Sequence, residues 1–178
     1  MQELNEFEGL GFSRGASCLK EVLWRVVQSV FFNIDILKLY KFKAAILRSF
    51  GAAIEQGVVW KPKVKVTFPW RLKVGENSWL GEDVWLLNLA NIEIGSNVCI
   101  SQRTFLCTGS HDWKKNSFDL ITQPIVIHDG VWICANVFIG PGVEIGRNSV
   151  VTAGSIVTKN LPPNMVCSGN PCVPIKPR

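Results

Sequence analysis

Residues 127–157 read IHDGVW ICANVF IGPGVE IGRNSV VTAGSI V, and an aliphatic residue opens each group of six. The spacing continues upstream, so that twelve aliphatic residues mark twelve hexads within residues 74–162. They are Val74, Leu80, Leu86, Ile94, Ile100, Leu106, Ile127, Ile133, Ile139, Ile145, Val151 and Val157. A two-residue slip at Ile92 and Glu93 and a 15-residue insertion, Asp112 to Val126, interrupt the register. A fixed short period of this kind is typical of a solenoid.

Two further columns of the sequence keep the same register. Four positions after each aliphatic residue, eleven of twelve residues are Ser, Thr, Ala or Val, as a tightly wound interior requires. Three positions after it, ten of twelve are Gly, Asn or Asp, which tolerate the left-handed backbone of a sharp corner. The pattern predicts a parallel β-helix with three six-residue sides per turn and at least four coils. Strands of a sandwich would instead alternate with period two between irregularly spaced turns.

The composition is apolar, with 47% hydrophobic and 19% charged residues in a 178-residue chain of net charge +5. The most apolar stretch near the start, Val22 to Phe32, contains Arg25 and Gln28 and falls short of the roughly 18 apolar residues of a membrane span. The acidic start argues against a signal peptide. The positive charge, mostly in residues 1–70, is too sparse to indicate nucleic-acid binding. Six cysteines without a CxxC pair predict reduced, mostly buried thiols and a cytoplasmic location.

The segment before the repeat, residues 1–57, has helical spacing and forms a predicted N-terminal arm. A second helix is predicted from about Ile36 to Phe50, ended by Gly51. One apolar stripe runs along the first helix at i, i+3, i+4, i+7 spacing: Leu19, Val22, Leu23, Val26, Val27, Val30 and Phe31.

Two interpretations of this arm stay open. It caps the open end of the coil, or it is a basic amphipathic surface that touches an anionic membrane from the cytoplasmic side. The β-helix is predicted over residues 58–163, where Val58 to Trp70 looks like an imperfect first coil, with an insertion loop at 112–126. Residues 164–178 form a tail that packs on the coil.

The hexads, the segment Cys107 to Asp112 (CTGSHD) and the segment Gly154 to Pro163 (GSIVTKNLPP) carry a resemblance to a known family. Together with Phe68-Pro69-Trp70 and Gly169-Asn170-Pro171, the chain from about Arg14 onward resembles the left-handed β-helix hexapeptide-repeat acyltransferases. Within them it is similar to the colanic acid biosynthesis O-acetyltransferase type. The resemblance implies a left-handed coil, acetyl-CoA as co-substrate, no required metal, and a homotrimer with active sites between subunits. It also implies acetyl transfer to a hydroxyl of a sugar or lipid-linked oligosaccharide in exopolysaccharide or capsule biosynthesis.

The chain contains two histidines, His111 and His128. His111 ends the sixth hexad where the insertion leaves the repeat, which puts it at the mouth of a loop-lined groove. An imidazole, with an ordinary pKa of about 6.5, suits proton removal from a hydroxyl. The resemblance gives His111 the role of general base for direct attack of the acceptor on the thioester. Asp112 either orients the ring or caps the loop. His128 occupies a slot that is mostly glycine elsewhere and is predicted to be exposed.

Further candidates carry alternatives. Asn88 has a family-like setting for holding the acceptor sugar, or is a corner residue. Trp113 and Phe118 stack on a sugar ring, or form a small core for the loop. By resemblance, the donor contacts Trp132 and Ala135 along its pantetheine arm and Ala153, Thr158 and Lys159 nearer its nucleotide, while Lys176 provides a cation for its phosphates.

The sequence gives less support to three other functions. Cys107 lies near His111, but nothing beside it marks an activated thiolate, so a covalent route is disfavoured. A metal enzyme of the γ-type carbonic anhydrase kind needs three histidine ligands, and this chain has two. A catalytically silent β-helix used for assembly or binding is the remaining alternative.

Overall fold

The computed structural model describes Leu4, Phe7 and residues 11–33 and 39–178. Two helices, α1 (Cys18–Phe31) and α2 (Tyr40–Ser49), precede a series of short strands. Coils 1 and 2 contain β1 (Ala53–Ile54), β2 (Val59–Trp60), β3 (Lys65–Val66), β4 (Leu72–Val74), β5 (Trp79–Leu80) and β6 (Trp85–Leu87). Coil 3 contains β7 (Ile92–Ile94), β8 (Cys99–Ile100) and β9 (Phe105–Cys107), followed by β10 (Gly109–His111) and β11 (Leu120–Thr122). Coils 4 and 5 contain β12 (Ile125–Ile127), β13 (Trp132–Ile133), β14 (Phe138–Ile139), β15 (Glu144–Ile145), β16 (Val150–Val151) and β17 (Ile156–Val157). The chain ends with β18 (Met165–Gly169) and β19 (Cys172–Pro177).

Each coil contributes one strand to each of three parallel sheets. Face A joins the first strand of every coil, face B the second and face C the third. β18 extends face B and pairs antiparallel with β19, while Leu161 bridges to Ile145 on face A. The fold is therefore a left-handed parallel β-helix of five complete coils and the start of a sixth, as the repeat and the resemblance predicted.

The repeat columns form the core. All twelve predicted aliphatic residues are buried, none more than 3% exposed. The column of small residues is buried as well, except at Ala90 and Ser110. These two exceptions stand where the slip and the insertion interrupt the hexads.

The corners of the coil are turned by residues with positive φ along two of the three edges. On the edge between faces A and B (the A–B edge) they are Gly57, Asn77, Asn97, Gly130, Asn148 and Asn164. On the B–C edge they are Lys63, Asp83, Arg103, Asn136 and Gly154. On the C–A edge only Gly142 has this conformation among the described residues of the coil corners. The third edge is thus built differently from the other two.

The coil begins at Ala53, earlier than the predicted boundary at residue 58, because β1 pairs with β4 in the register of face A. The sequence pattern misses this start because Trp60, which is fully buried, fills an inward position that an aliphatic residue fills elsewhere. The excursion at the insertion begins at Gly109 and ends before Ile125, slightly upstream of the predicted loop at 112–126.

The helical arm covers the first coil. The Trp24 indole N–H donates to the Val66 carbonyl at 2.8 Å, and Gln28 Oε1 accepts from the Val66 N–H at 2.7 Å. The Lys63 N–H donates to the Phe32 carbonyl at 2.7 Å. Trp24 also packs against Phe32 and Phe50. These bonds satisfy backbone groups of β3 and of Lys63 just before it. Without the arm these groups would be unpaired at an open sheet edge.

Most of the apolar stripe of α1 does not provide this contact, although Val27 is half-buried and packs against the core. Leu19 is 78% exposed and Val26 is 56% exposed, and Val22, Leu23 and Val30 are exposed as well. The helix packs through Trp24 instead, so its second apolar face points to solvent. The predicted start of the second helix at Ile36 lies outside the described residues, and α2 is seen from Tyr40. Among the described residues, no helix is long and apolar enough to span a bilayer.

Candidate active site

A hairpin carries His111 away from the C–A edge at coil 3. β10 and β11 pair antiparallel, with Gly109 opposite Thr122 and His111 opposite Leu120. The root is fixed by Thr108, whose buried hydroxyl donates to the Leu87 carbonyl at 2.8 Å and accepts from the Ala90 N–H at 2.9 Å. These bonds tie the hairpin to coil 2, so that His111 projects from a rigid base.

The hairpin orients the His111 ring through its backbone. His111 Nδ1 lies 2.8 Å from the Phe118 carbonyl oxygen, and the ring stacks on Phe118 with centroids 4.2 Å apart and an angle of 3°. Phe7 contacts the imidazole edge-on at 5.6 Å. Because a carbonyl only accepts hydrogen bonds, Nδ1 carries the proton of the neutral ring. The lone pair is then on Nε2, which is the arrangement that proton abstraction requires.

Asp112 does not orient the ring. Its Oδ1 accepts from the Lys114 N–H at 3.1 Å, and its own N–H donates to the Asp119 carbonyl at 2.8 Å. In the structure Asp112 caps the loop, and the Phe118 carbonyl, not the Asp112 carboxylate, contacts Nδ1 of His111. Lys115 and Asp119 close the loop with an ion pair at 2.8 Å. This contact raises the pKa of Lys115 and lowers the pKa of Asp119.

The two aromatic residues of the insertion differ. Phe118 belongs to the small core of the loop through its stack on His111. Trp113 is 72% exposed, with Lys114 Nζ 5.6 Å from its ring centroid. Trp113 is therefore accessible to a sugar, whereas one face of the Phe118 ring is covered by His111.

Asn88, predicted either to hold the acceptor or to be a corner residue, is fully buried, and its amide bonds to the backbone of the neighbouring coil. Its Oδ1 accepts from the N–H groups of Thr67 at 3.1 Å and Phe68 at 2.9 Å. Its Nδ2 donates to the Phe68 carbonyl at 2.6 Å. The side chain holds coil 1 to coil 2 at the C–A edge, where the Phe68 N–H has no backbone partner, while the Thr67 N–H also donates to the Leu86 carbonyl and the Phe68 carbonyl also accepts from the Arg71 N–H.

Four predicted donor residues lie along face B and the B–C edge. Trp132 stands in one row with Val150, Val166 and Lys176 across paired strands. Three strand spacings place Lys176 about 14 Å from Trp132 along the coil axis. The Trp132 indole N–H donates to Ser101 Oγ at 3.1 Å, so the ring leans toward coil 3. Ala135 and Ala153 are stacked at successive corners of the B–C edge, where the Gly154 N–H donates to the Ala135 carbonyl at 3.0 Å.

Thr158 and Lys159 lie elsewhere, on the C–A edge directly after β17. Both are exposed and stand two coils above the root of the His111 hairpin. The predicted residues thus form two lines parallel to the coil axis, separated by face C. In one line Trp132 lies at coil 4 and Lys176 lies beyond coil 5. In the other line His111 lies at coil 3 and Lys159 lies directly after coil 5.

The remaining predicted groups are placed as follows. His128 is exposed on face A, as predicted, with Nε2 2.6 Å from Glu144 Oε1. Cys107 is buried and its Sγ donates to the Gly109 carbonyl at 3.1 Å. All six cysteines are free thiols, and burial raises the pKa of Cys167 to about 11. The described residues contain no group of three or more His, Cys, Asp or Glu placed to hold a metal ion.

Sequence reasoning missed the Phe118 carbonyl, which fixes the His111 tautomer. No sequence signal indicates it, because the contact depends on the backbone and on a positive φ of 49° at Phe118. The sequence offered a structural role for Asn88 as a corner residue but did not indicate its bonds to Thr67 and Phe68 in the neighbouring coil.

Comparison with known proteins places the chain in a family. A model described as bacterial transferase hexapeptide (six repeats) matches residues 124–159. A colanic acid biosynthesis acetyltransferase, WcaF, of Escherichia coli is 45% identical over 100% of this chain and 98% of its own length. A hexapeptide-repeat acetyltransferase of Vibrio cholerae complexed with acetyl coenzyme A has a TM-score of 0.81 at 29% identity, covering 99% of this chain and 98% of that one. A galactoside acetyltransferase in complex with coenzyme A has a TM-score of 0.84 at 26% identity, covering 99% and 92%.

The match to the Escherichia coli relative extends over the helical arm and the hairpin as well as the hexads. The coil, the His111 hairpin and the two lines of predicted site residues therefore occur in a chain that belongs to the hexapeptide-repeat transferase family and is a CoA-dependent acetyltransferase.

Proposed function

We propose that the protein transfers an acetyl group from acetyl-CoA directly to a sugar hydroxyl, with His111 as the general base. The observation that carries this is the bond between His111 Nδ1 and the Phe118 carbonyl, which leaves the Nε2 lone pair available. Nε2 takes the hydroxyl proton as the oxygen attacks the thioester carbonyl. The carbon–sulfur bond then breaks and the proton passes to the CoA sulfur. Cys107 takes no part, since its thiol is buried and bonded to a carbonyl.

The acceptor is a sugar in exopolysaccharide or capsule biosynthesis, free or lipid-linked. Support comes from the names of the relatives, which include a colanic acid biosynthesis acetyltransferase at 45% identity and a galactoside O-acetyltransferase of Escherichia coli at 34% identity. The exposed Trp113 at the hairpin tip provides an aromatic surface of the kind that stacks on sugar rings.

The donor binds between two copies of the chain in a homotrimer. Trp132, Ala135, Ala153 and Lys176 lie on one edge of the coil and His111, Thr158 and Lys159 on another. One chain therefore does not surround a single elongated molecule with all of them. Packing the C–A edge of one copy against face B of the next would bring the two lines together and would cover Trp79 and Trp132, which are 58% and 46% exposed. Light scattering tests this, with three times the 19.8 kDa chain mass as the expected result and a monomer as the contradicting one.

The arm contacts the inner, anionic face of a membrane, and the protein is cytoplasmic. The support is the exposed apolar face of α1 together with the exposed cations Arg25 and Lys41. Flotation with anionic vesicles is expected to carry the protein, and the double change Leu23→Asp and Val26→Asp is expected to abolish it. Equal flotation of the two proteins would contradict the proposal.

The test of the central step is His111→Gln, which keeps a polar side chain but removes the base. A lost general base typically lowers kcat by roughly 10²- to 10⁴-fold. CoA affinity, measured by calorimetry, is expected to stay within about twofold. His128→Gln is the matched control, because His128 is exposed on face A and belongs to neither line. A His111→Gln variant with wild-type kcat would contradict the assignment.

A further inference from the structure

A cleft of about 410 Å³ opens at the base of the His111 hairpin, and its walls come from three parts of the chain. The arm contributes Ser13, the C–A edge contributes Arg71 and Asn91, and the hairpin contributes Thr122. Thr122 pairs with Gly109, two residues before His111 in β10. At about 3.4 Å per residue along the strand and about 5 Å across the pair, the cleft begins about 8–9 Å from the His111 backbone, a distance that one sugar ring with its substituents spans.

The cleft lies on the side of His111 that the proposed donor does not use. The donor residues extend from coil 4 toward the C-terminal end, with Lys159 after coil 5 and Lys176 beyond it. The cleft extends the other way, along coils 1 and 2. A molecule bound there would reach His111 from the side away from the predicted donor residues.

Arg71 is the cation of this cleft. Its guanidinium carbon lies 5.2 Å from the Phe12 ring centroid and 5.5 Å from that of Phe68, and its Nη2 donates to the Ser13 carbonyl. No carboxylate in the part of the chain that the structure describes pairs with it. Lys63, Lys73 and Lys115, by contrast, each have an acidic partner. Partial burial lowers the pKa of Arg71. The site therefore holds a partly desolvated cation that pairs with no anion among residues 11–33 and 39–178.

We propose that Arg71 binds an oxyanion carried by the sugar acceptor, a carboxylate or a phosphate, and so selects acidic over neutral acceptors. The planar fork of a guanidinium matches either group with two parallel hydrogen bonds. Phe12 and Phe68 hold the guanidinium plane, while Asn91 and Thr122 offer hydrogen bonds to sugar hydroxyls. This inference rests on the proposed function, since it assigns the acceptor side of the same reaction.

The experiment compares three acceptors of one ring size: methyl glucoside, methyl glucuronide and glucose 1-phosphate. The wild-type kcat/KM is expected to be at least about tenfold higher for one or both anions than for the neutral glucoside, and the preferred anion identifies the source of the charge. Arg71→Gln is expected to raise KM for the preferred anion by about 10- to 100-fold. KM for the glucoside and for acetyl-CoA is expected to change less than about threefold. The KM of Arg71→Lys for the preferred anion is expected to lie between those of the wild type and Arg71→Gln. Arg147→Gln, an exposed change on the A–B edge, is the control.

Calorimetry with the same compounds on the His111→Gln protein separates this inference from the proposed function. Binding of an anion that Arg71→Gln abolishes, without acetylation of any acceptor by the wild type, would contradict the proposed function and support the anion site. A wild type that binds and uses all three compounds equally would overturn the inference. So would an Arg71→Gln variant that loses activity equally on neutral and anionic acceptors. If that variant fails to fold, the wild-type preference and Arg71→Lys decide the question.

Discussion

The corners of the A–B and B–C edges share one backbone conformation, whereas most corners of the C–A edge do not have it. Every coil turns the first two edges with a residue of positive φ, from Gly57 to Asn164 and from Lys63 to Gly154. On the C–A edge only Gly142 does so among the described coil corners, and the chain uses a 3-10 helix, Pro69–Arg71, and a hairpin instead. The buried amide of Asn88 and the imidazole of His111 both stand there. The candidate base and the buried amide thus stand where the repeat breaks, whereas Trp132, Ala135, Ala153 and Lys176 stand where it is regular.

Among the variants that compare the edges, Asn88→Ala on the C–A edge is expected to have the largest effect. The change leaves the Phe68 N–H without a partner, whereas the Thr67 N–H keeps its bond to the Leu86 carbonyl and the Phe68 carbonyl keeps its bond from the Arg71 N–H. Buried polar groups left unsatisfied destabilise by roughly 1–3 kcal/mol each when they cannot reach water. With one such group, we expect the free energy of unfolding, measured by urea denaturation, to fall by roughly 1–3 kcal/mol.

Asn97→Ala on the regular A–B edge is the matched control. Asn97 is exposed with a φ of 56°, so its loss removes only a preference for the left-handed region, worth about 1–2 kcal/mol. If Asn88→Ala were the milder of the two and raised KM for the acceptor, the predicted acceptor-binding role of Asn88 would be correct after all.

Phe118→Ala tests whether the hairpin orients His111 through the stacked ring. An aromatic pair contributes about 0.5–1.5 kcal/mol, so kcat is expected to fall by about three- to tenfold while KM for acetyl-CoA stays unchanged. Ile121→Ala, an exposed change in the same hairpin, is expected to leave kcat as it is. Equal rates for the two variants would show that the backbone bond at Nδ1 suffices.

The smallest effect is expected from Asp112→Asn. The amide oxygen still accepts from the Lys114 N–H, so the cap is kept and kcat is expected to stay within about twofold. In catalytic triads the same change to the orienting acid costs about 10⁴-fold. A loss of that size would mean that Asp112 moves onto the ring during turnover.

The sequence predicted the regular parts of the molecule well because each hexad repeats the same physical requirement. The aliphatic column from Val74 to Val157 is buried throughout, and the predicted insertion that begins at Asp112 lies in the hairpin of β10 and β11. The parts it missed depend on contacts between distant segments. Trp60 replaces an aliphatic residue in coil 1, and Trp24 displaces the apolar stripe of α1 as the contact with the coil. The role of the Phe118 carbonyl is a backbone property that no residue type encodes.

The measurement that tests the account most directly is a crystal structure with bound CoA. We expect the CoA sulfur beside Nε2 of His111 from one copy, at the roughly 3–4 Å separation of reacting groups, with the pantetheine arm against Trp132 of another copy. The account would be contradicted by a sulfur more than about 8 Å from every His111 ring, or by a CoA that contacts His111 and Trp132 of the same chain.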